Sequence, residues 1–219
     1  MYYYVEDKEF ISNMRGLCSD IVNQLVQLIN GEGKLKVKAS LVGSGAKNLI
    51  TQNENEPIDL DYNLSIKECN EFDINNSVSI KEYVRKSFNI ILKRFGWNDC
   101  KDSTSALTTE KRYFKNGNQT RFSIDLCIIY ESNQRWWRLI HQKTGFTNYD
   151  RWYWSEGKHS GNLNNKADWL KKNGHWNEVR EVYLEKKNMY LRKNDKDHPS
   201  FICYLETINE ICNKYKNKR

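Results

Sequence analysis

The sequence has no Cys-x-x-Cys pair: its six cysteines (Cys18, Cys69, Cys100, Cys127, Cys203 and Cys212) are scattered along 219 residues. That spacing excludes the usual tetrahedral zinc signatures. The apolar surroundings of most of them predict buried, reduced thiols behaving as small hydrophobes. The four histidines, His141, His159, His175 and His198, show no ordering that would serve a cysteine nucleophile. No run approaches the roughly 18 apolar residues of a membrane span. The first ten residues, MYYYVEDKEF, carry neither the basic region nor the hydrophobic run of a secretory signal. A cytoplasmic protein with no membrane partner is therefore expected. Internal repeats and low-complexity linkers are missing as well.

The chain is long enough to bury a substantial core as one large domain or two small ones. Its 13% aromatic and 29% charged content is that of a globular protein, not a disordered one. Charge is distributed unevenly. Residues 1–130 hold 17 basic and 17 acidic side chains, whereas residues 131–219 hold 18 and 11, which is the whole net charge of +7. Such a block suits an anionic partner, a nucleotide or RNA, and equally a lysine-rich solvated helical surface.

Apolar positions Phe10, Met14, Leu17, Ile21, Leu25 and Leu28 step by three and four, predicting an amphipathic helix that Asn30–Gly33 terminates. Alternation in Leu35–Val42 predicts a strand, followed by a Gly-Ser-Gly turn, with a second strand over Ile58–Leu64 after Pro57. A helix is expected at about Ser79–Phe95. The stretch Ala106–Tyr130 reads as a hairpin turning at Asn116-Gly117. Beyond Tyr130 six tryptophans crowd into about forty residues. Helices are predicted within Lys166–Leu191, with a break at Asn173-Gly174, and over His198–Lys216, with Phe201, Leu205, Ile208, Ile211 and Tyr215 inward and Pro199 in the first turn. The expected division is a core of residues 1–130 and a helical, Trp-rich, basic region of residues 131–219 packed on it.

The chemistry concentrates in carboxylates that break the strand pattern. In Ile58–Leu64 the residues Ile58, Leu60, Tyr62 and Leu64 share one face, while Asp59, Asp61 and Asn63 share the other. Aspartate is disfavoured in strands, and two on one face repel unless something positive lies between them. RFSIDLCIIY repeats the anomaly: Asp125 faces away from Phe122, Ile124, Leu126 and Ile128. If the two strands are neighbours, three carboxylates meet, a donor set that suits Mg²⁺ or Mn²⁺ shared with substrate phosphates. The glycines around Ser44 allow close backbone approach to a phosphate group. The stretch GSGAKN has neither a dinucleotide fingerprint nor the Gly-Lys-Ser/Thr ending of a P-loop. The bland alternative has Asp59 and Asp61 facing solvent and Asp125 paired with Arg112 or Arg121.

Gly-Ser, then apolar-Asp-apolar-Asp, then a later apolar-Asp-apolar strand resembles the polymerase-beta-like nucleotidyltransferase superfamily. The resemblance covers about Leu35–Tyr130 and implies an α+β fold, a mixed sheet flanked by helices and followed by a helical C-terminal region. It implies that Gly43 and Ser44 contact the triphosphate of an NTP and that Asp59 and Asp61 bind metal. By the same resemblance Asp125 ligates the catalytic metal and helps activate an acceptor hydroxyl. Lys47 is the candidate for a basic contact to the triphosphate, since the Ser44–Asp59 loop is long and lacks the family's arginine- and glycine-rich content. The implied reaction moves a nucleoside monophosphate from an NTP to a small molecule, nucleotide, RNA or protein. A non-catalytic nucleotide-binding or RNA-binding regulatory module is the alternative.

Overall fold

The computed structural model describes residues 1–133, 135–157, 162–195 and 200–216. His159, His198 and Pro199, singled out in the sequence, lie outside them. In chain order the first half contains β1 (Tyr2–Tyr4), α1 (Lys8–Glu32), β2 (Leu35–Leu41), α2 (Gly43–Lys47), β3 (Thr51–Asn53), β4 (Ile58–Cys69) and α3 (Ser77–Arg94). Then come β5 (Lys101–Asp102), β6 (Leu107–Thr108), β7 (Phe122–Ser132), β8 (Arg135–Gln142), β9 (Arg151–Glu156), α4 (Leu163–Lys172), α5 (Trp176–Arg192) and α6 (Ser200–Lys216). These elements form two compact units.

The larger unit comprises Asp7–Lys47 and Pro57–Gly157. Its seven-stranded sheet runs β2-β4-β7-β6-β5, and β8 pairs with the far end of β7 and with β9. The sheet is mixed: β4 and β7 are parallel, and the other pairs are antiparallel. One face of the central strands is wholly apolar. Ile58, Leu60, Tyr62 and Leu64 of β4 and Phe122, Ile124, Leu126 and Ile128 of β7 are all buried, each full burial contributing about 1.5–3 kcal/mol. Helix α1 delivers Phe10 edge-on to Phe122, and Ser19 hydrogen-bonds the Tyr62 hydroxyl at 2.9 Å. Asp7 caps α1 through the Phe10 N–H, and Gly33, at φ +74°, closes it as the sequence predicts.

A buried ionic cluster ties α3 to β5 and β8. Lys81 of α3, only 1% exposed, meets Asp102 at 2.5 Å and donates to the Ser103 carbonyl at 2.9 Å. His141 of β8 lies between Asp102 (2.6 Å) and Asp150 (3.0 Å) and stacks on Trp152. Removing one member of a buried pair strands the other charge. Lys81→Met is therefore expected to cost about 3 kcal/mol, measured as a lower urea midpoint.

The smaller unit comprises Met1–Glu6, Asn48–Glu56 and Lys158–Arg219. In it β1 and β3 form a two-stranded antiparallel ribbon. The Asn188 side chain on α5 clasps β1 by accepting from the Tyr2 N–H (2.7 Å) and donating to its carbonyl (3.0 Å). Val179, Tyr183, Ile208 and Ile211 fill the core between helices.

Several local expectations change. Beyond Tyr130 the chain first forms strands and not helices, β8 and β9: in RWWRLIHQ, Trp137, Leu139 and His141 alternate with Trp136, Arg138 and Ile140, and aromatic and branched residues favour a pleated surface. The compact unit containing the sheet accordingly reaches Gly157, past the expected limit at Tyr130. The Gly-Ser-Gly segment is the start of the short helix α2, β4 continues to Cys69, and β1 and β3 are additional. Leu107 and Thr108 do pair back onto Leu126 and Asp125, but through a long loop in which only Gly117 of the Asn116-Gly117 step has positive φ. The break at Gly174 (φ +77°) does separate α4 from α5. Phe201 is exposed, because the buried stripe of α6 runs through Cys203, Tyr204, Thr207, Ile208, Ile211 and Cys212. All six cysteines are free, and all but Cys69 are buried. Among the described residues no helix is long and apolar enough to cross a membrane.

Candidate active site

The sheet's polar face carries the predicted carboxylates. In the parallel β4–β7 pairing Asp61 stands opposite Asp125 and Asp59 opposite Ser123, so Asp125 is the cross-strand neighbour of Asp61 on the same face. The Arg112 alternative does not arise, because that guanidinium pairs with Glu110 at 3.0 Å.

The chain arrives at this row from β2. Its continuation is held to β4 by the Val42 N–H, which donates to the Asp61 carbonyl at 2.8 Å. Gly43 follows at φ +64°, where a Cβ would stand 2.4 Å from Asp61 Oδ2. Only glycine accommodates both the left-handed backbone and the adjacent carboxylate. Gly45 is buried below, where a Cβ would press on Leu60 at 2.9 Å. Its carbonyl accepts from Arg15 of α1. Ser44 lies between the two glycines, half-buried. Lys47 bonds back to the Gly43 carbonyl at 3.3 Å, and its charge also acts on Asp61.

The three carboxylates differ in surroundings. Asp59 is exposed and accepts from the Ser123 hydroxyl. Asp125 accepts from the Thr108 hydroxyl at 2.6 Å. Burial pushes the Asp125 carboxyl above its usual range, the Thr108 hydrogen bond opposes this, and the Asp59 charge adds to it. Asp61 is pushed up to about 6, first by burial, then by Asp125 and Asp59, against the pull of Arg138 and Lys47. The charge left uncompensated on Asp61 is what a cation between these groups would neutralise.

Among the described residues no three His, Cys, Asp or Glu side chains are grouped so that they could hold a metal ion. The expected cage is thus an open row, which still fits Mg²⁺: that ion takes one or two carboxylates and completes its shell with water and substrate phosphate oxygens.

Three further residues belong to the site. Ser123 shares the face of Asp125 two positions earlier, a relation visible in FSID. Thr108 reaches Asp125 only through strand pairing across 17 positions. Arg138, opposite Ile129 in the β7–β8 pair, sets a guanidinium toward Asp61 and Cys127 from a segment expected to be helical, and its buried Nε has no hydrogen-bond partner.

No protein-family model matches the sequence, and no curated protein is detectably similar to it. Solved structures do match. CdnC from E. coli MS115-1 with ATP aligns over 93% of this chain at 15% identity and a TM-score of 0.59. CdnC from the same strain in complex with HORMA-deltaN aligns over 93% at 16% identity and a TM-score of 0.56. The cyclic AMP-GMP synthase DncV of Vibrio cholerae, with a linear intermediate, covers 70% of the chain and 38% of its own at 12% identity and a TM-score of 0.46. This chain spans 60% of the length of the two CdnC chains. Sheet order, flanking helices and the two CdnC superpositions agree: the chain shares the fold of the CdnC structures, a mixed sheet flanked by helices.

Proposed function

We propose that the protein is a metal-dependent nucleotidyltransferase that moves a nucleoside monophosphate from an NTP to an acceptor hydroxyl, releasing pyrophosphate. The observation that carries this reading is the Asp61–Asp125 cross-strand pair, with Asp59 on the same face and the Gly43 backbone against Asp61. The fold shared with CdnC, a structure holding ATP, supports a nucleotide substrate and makes ATP the first to test.

In this reading Asp59 and Asp61 hold Mg²⁺ or Mn²⁺ together with the triphosphate, and Asp125 is the third ligand. Bound there, a divalent ion supplies Lewis acidity to the phosphoryl oxygens and neutralises the leaving pyrophosphate. Gly43 keeps the backbone close enough for a phosphate to approach, and Ser44 offers it a hydroxyl donor. Lys47 adds positive charge on the same segment. Asp125, anchored by Thr108, orients the acceptor hydroxyl and takes up its proton as the new bond forms.

Labelled ATP, GTP, CTP and UTP with Mg²⁺ or Mn²⁺ and acceptor pools test the proposal through pyrophosphate release and label transfer. Asp59→Ala is expected to lower turnover by about 10²–10³-fold, the scale of losing one electrostatic contact to the transferring group. Label transfer by Asp59→Ala at the wild-type rate would refute the site. ATP binding that ignores divalent metal and yields no pyrophosphate would instead indicate a regulatory nucleotide-binding module.

A further inference from the structure

We propose that Thr108, backed by Ser103, is a positioning residue for Asp125, an inference that rests on the metal-site reading above. Strand β6 is only two residues long. Leu107 is fully buried in the core, and Thr108 pairs directly with Asp125, so the strand's polar contribution to the site is one hydroxyl.

The direction of the hydrogen bonds follows from proton count. A carboxylate only accepts, so Thr108 spends its single hydroxyl proton on Asp125 Oδ1 at 2.6 Å, within the range of charge-assisted O–H···O⁻ bonds. In the 3.0 Å contact between the Ser103 and Thr108 hydroxyls, Ser103 is then the donor. The relay runs Ser103 to Thr108 to Asp125. Ser103 is itself fixed, its N–H donating to the Ala106 carbonyl (2.9 Å) and its carbonyl accepting from the buried Lys81 (2.9 Å). Committing Oδ1 to Thr108 selects one orientation of the carboxylate and leaves Oδ2 for a metal ion or the acceptor. The other outer carboxylate is held in the same way, Asp59 by the Ser123 hydroxyl. Groups that orient metal ligands are typically worth about 10–100-fold in metal affinity or activity.

The experiment measures Mn²⁺ binding to the full chain by electron paramagnetic resonance, with a non-hydrolysable ATP analogue present, alongside steady-state turnover. Thr108→Val, nearly isosteric, is expected to weaken Mn²⁺ binding by about tenfold. It should lower kcat while leaving the KM for ATP within about twofold, since no contact to the nucleotide is lost. Thr108→Ser should restore both, and Ser103→Ala should produce a smaller loss of the same kind. Wild-type Mn²⁺ affinity and turnover in Thr108→Val would overturn the proposal. A Thr108→Ser variant as impaired as Thr108→Val would also overturn it, by assigning the effect to the methyl group. If Thr108→Val does not fold by circular dichroism, Ser103→Ala decides, and wild-type affinity there overturns the relay. Failure of the wild-type chain to bind Mn²⁺ at all is a different result, which removes the metal-site reading itself.

Discussion

Replacing Asp61 by asparagine should abolish nucleotidyl transfer and, in the absence of metal, make the protein harder to melt at neutral pH. The two effects share one cause. Asp61 is the central carboxylate, partly buried, flanked by Asp59 and Asp125, and its carboxyl is pushed up to about 6. An aspartate raised above its unfolded value binds its proton more tightly in the folded state. Its favourable contribution is complete below pH about 4 and is lost as pH rises through about 6. At pH 7.5 the charged Asp61 therefore works against folding by about 2–3 kcal/mol at most, and by less to the extent that solvent screens it. Asparagine keeps the shape without the charge. Melting in chelator should rise by several degrees at pH 7.5, at about 2–4 °C per kcal/mol for a chain of this size, and hardly at all at pH 4. Millimolar Mg²⁺ with an ATP analogue should stabilise the wild type and not the variant. Turnover should fall by about 10³-fold, the equivalent of roughly 4 kcal/mol of lost transition-state stabilisation. A variant that melts no higher than wild type in chelator at pH 7.5 would show that Asp61 is not under electrostatic strain.

The carboxylate row is legible in the sequence because strand periodicity is a local signal. Asp59 and Asp61 share the polar face of one alternating strand, and Asp125 breaks the apolar run of another. Their meeting is a matter of sheet order, which the family resemblance supplied and the β4–β7 pairing provides. Residues that reach the site through non-local pairing leave no such trace. Thr108 sits in a two-residue strand, and Arg138 in a segment whose tryptophans suggested a change of architecture. There, composition is a weaker guide than alternation: Trp136 and Trp137 belong to a strand because Arg138, Leu139, Ile140 and His141 continue a period of two. The ribbon of β1 and β3 is illegible for a related reason. Three-residue strands paired across about fifty positions have no periodicity to read, and side-chain clasps such as Asn188 on Tyr2 stabilise them.

Gly43→Ala should separate catalysis from stability in the opposite sense, with a large loss of turnover for a small loss of fold. The alanine methyl would arrive 2.4 Å from Asp61 Oδ2 at a backbone φ of +64°. The left-handed backbone costs an alanine about 1–2 kcal/mol. The steric conflict is relieved cheaply, because its target is the end of a side chain: Asp61 can rotate away. That rotation moves the central carboxylate out of register with Asp125 and Asp59, and a misplacement of about 1 Å in a reacting site can cost on the order of 10²-fold. The variant should therefore fold and melt only a few degrees lower, bind Mn²⁺ weakly, and turn over ATP about 10²-fold more slowly. Gly45→Ala is the internal contrast. Its methyl would press on Leu60 and Leu41 in the core, so its cost should appear first in the melting temperature. Full activity in Gly43→Ala would mean that the glycine serves only the turn, and that the contact between its backbone and Asp61 has no part in holding the site.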